Sequence, residues 1–154
     1  RSKAVRRGFR QIMLDEIGKH YTLLAVQDIP WLTWLTKAKY MRGNKWRWGG
    51  WPVVAVAVFD PAPQWRAAED RDLEHPLVFS SRQFFKRDLR DRIVKEGRLY
   101  HKDNALHSTD NEAEAVGHFD LFFTPEQERA IVARAEALRA ELRAAGAPHY
   151  DPGR

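Results

Sequence analysis

Apolar residues recur every three or four positions over residues 4–18. Val5, Phe9, Ile12 and Ile17 fall near one side of a helical wheel, and Arg6, Arg7, Arg10 and Asp15 fall elsewhere. That period predicts an amphipathic helix closed by Gly18. From His20 to Ile29 the pattern becomes a run containing Tyr21, Leu23, Leu24, Val26 and Ile29, which predicts a strand ended by Asp28 and Pro30. Residues 31–41 read as a short helix, and Gly43, Gly49 and Gly50 mark 42–51 as a loop. Pro52-Val-Val-Ala-Val-Ala-Val-Phe59 is apolar throughout, the pattern of a strand buried on both faces. Residues 60–76, with Pro61, Pro63, Pro76 and many charges, read as a surface excursion without assigned chemistry.

Ser80-Ser81 then offers an N-cap to a helix over 82–96. Its buried stripe is Phe84, Phe85, Leu89 and Ile93, and its other side carries Lys86, Arg87, Arg90 and Arg92. A short helix over 111–117 and a long one over 124–145 follow. The long one has Thr124 as cap, Pro125 at the first helical position, Gln127 at the capping-box position and a stripe of Ile131, Ala135, Leu138 and Leu142. Gly146 and Pro148 stop it, so residues 1–146 read as a single domain and 147–154 as a poorly ordered tail.

Composition narrows the class. A chain of 154 residues with 44% apolar and 31% charged residues suits one globular domain. No apolar run approaches the ~20 residues that cross a bilayer and no signal peptide is visible, so the expectation is a soluble, cytoplasmic protein without a membrane partner. The absence of cysteine excludes disulfides, thiolate chemistry and cysteine-held metals. A formal charge of +5 suits an anionic partner: a nucleotide, a nucleic acid or an acidic surface.

Candidate chemistry concentrates in residues 102–115, where an imidazole, amides, hydroxyls and several carboxylates crowd together. His107 follows the apolar Ala105-Leu106 pair, which can anchor it, and precedes Ser108-Thr109-Asp110, which can cap the next helix. A histidine at such a junction stands beside backbone N–H groups that favour anions. Arginines clustered just upstream suit a diphosphate, which Arg grips bidentately. Separately, Trp46, Trp48 and Trp51 interleave with Lys45 and Arg47, a composition that stacks bases of a single strand and steadies its phosphates. His101, His107 and His118 with Asp103 or Asp110 have donor chemistry for a metal, at a spacing that matches no metal motif.

The stretch Asn104-Ala-Leu-His107-Ser-Thr109-Asp110, then Ala115 and Leu121-Phe-Phe123, resembles the active-site segment of nucleoside diphosphate kinases. There the pattern runs Arg-Asn-x-x-His-Gly-Ser-Asp, with Ala and Leu-Trp-Phe at the same distances. Ala4-Val-Arg-Arg-Gly8 resembles the start of that family's first helix, with Arg1-Ser-Lys3 in place of its Lys-Pro-Asp. Pro52 to Val58 resembles its Gly-Pro-Val-Val-Ala strand, and Leu89-Arg-Asp-Arg92 its Ile-Arg-Gly-Asp.

The resemblance implies an α/β (α+β) fold, a ferredoxin-like antiparallel sheet covered by helices, with the family's first strand lying before residue 1. It implies phosphoryl transfer from a nucleoside triphosphate to a nucleoside diphosphate through a phosphohistidine at His107, with Mg2+ carried by the nucleotide and no protein-bound metal. It further implies nucleotide contacts from Asn104, Arg90, Arg92, Thr109 and Lys86, a cap on the following helix from Asp110, and a homo-oligomer. Among the departures from the pattern, three bear on activity: Asp103 stands for Arg, Ser108 for Gly, and His118 for the glutamate that orients the imidazole, which leaves that task to Glu112 or Glu114. Two alternatives follow: a degraded nucleotide-binding or accessory module of the same fold, and a basic single-stranded nucleic-acid binder.

Overall fold

Gly8 divides the helix expected over 4–18. In the computed structural model, which describes residues 1–36, 49–71, 73, 75–101 and 103–147, the chain opens with α1 (Ser2–Arg6) and restarts as α2 (Arg10–His20). Gly8 has φ +84°, a left-handed conformation that glycine takes without steric cost. Its N–H and that of Phe9 fold back on Val5 O and Ala4 O at 3.0 and 3.2 Å, which closes α1. The break lets Phe9 turn inward beside Ala4 and Met13. Gly18, the expected stop, lies inside α2.

β1 (Thr22–Asp28) and β2 (Val54–Phe59) pair antiparallel, from Thr22 opposite Phe59 to Asp28 opposite Val54. A register shift between Leu23 and Ala25 lets the consecutive Leu24 and Ala25 both pack on one core. β2 was expected to be covered on both faces and is not: Ala57 and Phe59 are buried, but Val58 is 40% exposed, as are Leu23 and Val26 of β1 at 38% and 39%. Alternate strand residues point to opposite faces. The helices that pack on the Ala57 side leave Val58 turned outward.

α3 (Trp31–Thr36) is the described part of the helix expected over 31–41; its remainder, with Lys45, Trp46, Arg47 and Trp48, lies outside the described residues. A 3-10 turn over Ser81–Phe84 leads into α4 (Phe85–Glu96). Ser80 does not cap it, because the Ser80 hydroxyl accepts the Gln64 N–H at 3.1 Å instead. α5 (Glu112–Val116), α6 (Phe119–Phe122) and α7 (Pro125–Ala144) complete the order. α7 begins with the capping box read from sequence: Gln127 N–H donates to Thr124 Oγ1 at 3.3 Å, and Thr124 N–H to Gln127 Oε1 at 2.8 Å.

The result is a mixed α/β chain with a small antiparallel sheet and several helices, organised around two cores. In one, Ala57, Phe123 and Ile131 pack the sheet against α6 and α7. In the other, Ala4, Phe9, Met13, Leu89 and Ile93 join α1, α2 and α4, and Ala105 is buried among them. Leu106 packs on the same cluster, so the histidine segment is anchored by its apolar pair.

Candidate functional site

One face of the turn and helix over residues 81–96 holds the histidine segment along its length. Gln83 Nε2 donates to Asp110 O at 3.0 Å, Lys86 Nζ to Ser108 Oγ at 2.8 Å, and Arg90 Nε to Leu106 O at 2.6 Å. The spacings match. Gln83, Lys86 and Arg90 stand three and four residues apart on one side of the turn and helix, so alternate positions of the segment, 110, 108 and 106, meet successive positions of one helical stripe.

The other end is tied to α1. Arg1 N donates to Ala105 O at 2.7 Å and Arg1 Nη1 to Gly50 O at 3.3 Å. Asp103, 5% exposed, receives Lys3 Nζ at 2.8 Å, Gly49 N–H at 3.0 Å and Tyr100 N–H at 3.2 Å. Burial alone would raise its carboxyl, but the Lys3 ammonium and the two N–H groups outweigh that and hold it below the usual range. Gly49 has to be glycine here, since its φ is +92° and a Cβ would lie 2.1 Å from Asn104 O.

His107 is half-buried, and its Nε2 is fully enclosed and takes no hydrogen bond. Burial, then the charges of Arg1, Arg90 and Lys86, push the imidazole down to about 4, with only Asp110 pulling the other way. The ring is therefore neutral at pH 7. Arg90 is itself pushed down to about 10 by burial and by the neighbouring Arg1 and Arg87 charges. Lys86 is lowered by burial and by Arg90, and the Asp110 carboxylate stands 4.0 Å from its Nζ. Positive charge thus exceeds negative around a neutral ring, a field that suits an anion.

The sequence-expected residues divide. Lys86 and Arg90 converge on His107; Asn104 lies in the same segment with Oδ1 buried and without a partner, and Thr109 is half-buried there. Arg92 does not join them: it is turned out to Glu16 at 3.0 Å and Glu96 at 2.9 Å. Asp110 does not cap α5. Asn111 Oδ1 accepts the Glu114 N–H at 2.9 Å, and Glu114 Oε2 accepts the Asp110 N–H. Glu112 is held by Arg139 at 2.9 and 3.1 Å, so both carboxylates considered for orienting the imidazole are engaged elsewhere.

Arg1, Gln83 and Asp103 belong to the site and were not singled out as contacts. The signal for Gln83 was the polar spacing Gln83, Lys86, Arg90 along one helical stripe; the positions of Arg1 and Asp103 depend on contacts about a hundred residues apart and leave no local trace.

Among the described residues no group of three His, Asp or Glu side chains stands close enough to hold a metal, and no helix is long and apolar enough to cross a membrane. His101 is exposed, with its ring 4.3 Å from that of Tyr100. Of the tryptophan loop, Trp51 is described, with the Arg6 guanidinium 5.4 Å over its ring. Comparison with family models, curated proteins and solved structures returned no match to this chain.

Proposed function

We propose that the His107 site takes the phosphate tail of a nucleoside di- or triphosphate, with His107 as phosphoryl carrier between them. The observation that carries this reading is the seating of three cationic residues on the segment around His107: Arg1 N donates to Ala105 O at 2.7 Å, Arg90 Nε to Leu106 O at 2.6 Å and Lys86 Nζ to Ser108 Oγ at 2.8 Å, with Asp110 as the opposing charge on a neutral ring. A neutral ring nitrogen attacks the γ-phosphorus, the bond to the β-bridging oxygen breaks, and the diphosphate leaves. Nε2 is enclosed, so Nδ1 is the nitrogen that attacks. Arg1, Lys86 and Arg90 neutralise the charge on the transferring oxygens. Magnesium arrives on the nucleotide as part of the substrate.

Two further observations support a divergent nucleoside diphosphate kinase-like, ferredoxin-like scaffold. β1 and β2 are adjacent and antiparallel, as two consecutive strands of such a sheet are. Lys3 and Asp103 each break the family pattern, standing for its Asp and its Arg, and they meet as an ion pair at 2.8 Å. The exposed apolar positions Leu23, Val26 and Val58 on one sheet face support self-association into a homo-oligomer, which sedimentation velocity tests.

A second reading is binding without turnover. It is favoured by the engagement of Glu112 and Glu114 elsewhere and by the unpartnered Nε2, because a ring without a fixed acceptor is poorly held for attack. Incubation with γ-labelled ATP separates the two readings. Carriage by His107 leaves acid-labile, base-stable label that His107→Ala abolishes; equal labelling of both proteins refutes it. ATP binding in a calorimeter without label selects the second reading.

A further inference from the structure

Ser108 is bound to a lysine that is itself buried. Lys86 is 6% exposed, its Nζ donates to Ser108 Oγ at 2.8 Å, and an Asp110 carboxylate oxygen stands 4.0 Å off. Burial, then the neighbouring Arg90 and Arg87 charges, hold the ammonium below its ordinary value against the pull of Asp110 and Glu114. Held as a donor to Ser108 Oγ, the ammonium fixes the hydroxyl in place and screens the charge of a phosphate beside it. The same ammonium is one of the three cations around His107. A phosphate that it holds is therefore a neighbour of the Ser108 hydroxyl.

We infer that Ser108 is a second phosphoryl acceptor in this site, esterified by the same nucleoside triphosphate whose tail lies among Arg1, Lys86 and Arg90. This rests on the nucleotide reading above. Ser108 Oγ forms a bond to the γ-phosphorus and the bond from phosphorus to the β-bridging oxygen breaks. The nucleoside diphosphate leaves with that electron pair, and the hydroxyl proton passes to an oxygen of the transferred phosphoryl group and from there to water. The product is a dianion beside Lys86 and Arg90, which occupies the cations that the next nucleotide needs. The modification is self-limiting: each esterified chain loses nucleotide affinity.

The test incubates the full chain with γ-labelled ATP and magnesium, divides the label by brief acid treatment, and maps the acid-stable part by mass spectrometry. The expected result is an acid-stable ester at Ser108, absent in Ser108→Ala and retained at position 108 in Ser108→Thr. Lys86→Met, which removes the ammonium beside Ser108 Oγ, should slow its formation about a hundredfold. Acid-labile label alone, acid-stable label that persists in Ser108→Ala, or ATP binding without acid-stable label overturns the serine inference and leaves the nucleotide reading standing. No label and no ATP binding by calorimetry overturns both.

Discussion

Lowering the pH from 7 to about 4.5 probes the environment of His107 directly. In an unfolded chain the ring titrates near ~6.5; in the folded chain burial, followed by the charges of Arg1, Arg90 and Lys86, brings it to about 4. Below ~6.5 the unfolded chain therefore accepts a proton that the folded chain refuses. The contribution of the neutral ring to stability is complete above that value, is lost as pH falls, and stops changing below about 4. The full difference corresponds to ~3 kcal/mol; at pH 4.5, with some relief from solvent reaching the half-buried ring, roughly 2 kcal/mol is lost. Urea unfolding of the wild type and of His107→Gln at both pH values isolates the ring, because the carboxylates titrate in both proteins. The wild type should lose roughly 2 kcal/mol more than the variant on acidification. A difference within about 0.5 kcal/mol would refute the enclosed, cation-ringed imidazole. Saturating pyrophosphate should raise the ring's titration midpoint in a nitrogen NMR titration, since a bound anion offsets the Arg1, Arg90 and Lys86 charges. A ring that titrates near ~6.5 with no anion present would show that the cations do not surround it.

The two arginines expected as phosphate contacts should now separate. Arg90→Met removes both the hydrogen bond to Leu106 O and a charge beside His107, and should weaken ATP binding in calorimetry by roughly 10- to 100-fold. Arg92→Ala, on the solvent side with Glu16 and Glu96, should leave the same affinity within about twofold; comparable losses from both variants would contradict the placement. At the Lys3–Asp103 pair, Lys3→Met leaves a buried carboxylate with backbone donors alone and should cost ~2–4 kcal/mol in urea unfolding. Charge reversal by Lys3→Asp together with Asp103→Arg should recover part of the loss seen in either single reversal, and a double variant no better than the sum of the singles would deny the coupling. Thr124→Ala removes half of the α7 capping box and should lower stability by ~1 kcal/mol, read as a Tm shift of a few degrees in calorimetry.

Local chemistry made several elements legible. The box of Thr124, Pro125 and Gln127 specifies its own helix start, because every donor and acceptor involved lies within four residues. The apolar runs located β1 and β2 to within two residues at each end, since strand patterning is a property of the run itself. The concentration of polar groups around His107, with Lys86 and Arg90 upstream, was also visible along the chain. The break at Gly8 was missed because a continuing apolar period outweighed one glycine; in the fold, the buried position of Phe9 favours the left-handed turn.

Local patterning along the chain located both strands and most of the helices, the basic character of the chain, and the segment where titratable and polar groups crowd together. Tertiary structure alone decided which cations reach that segment. Lys86 and Arg90 fall on the stripe of α4 that meets residues 106–110, and Arg92 falls on the opposite side with Glu16. Arg1 arrives from the far end of the sequence, through its bond to Ala105 O. The physical reason is that a helix sets only the angular spacing of its side chains; which of those directions faces the imidazole is set by the burial of Leu89 and Ile93 against Ala4, Phe9 and Met13.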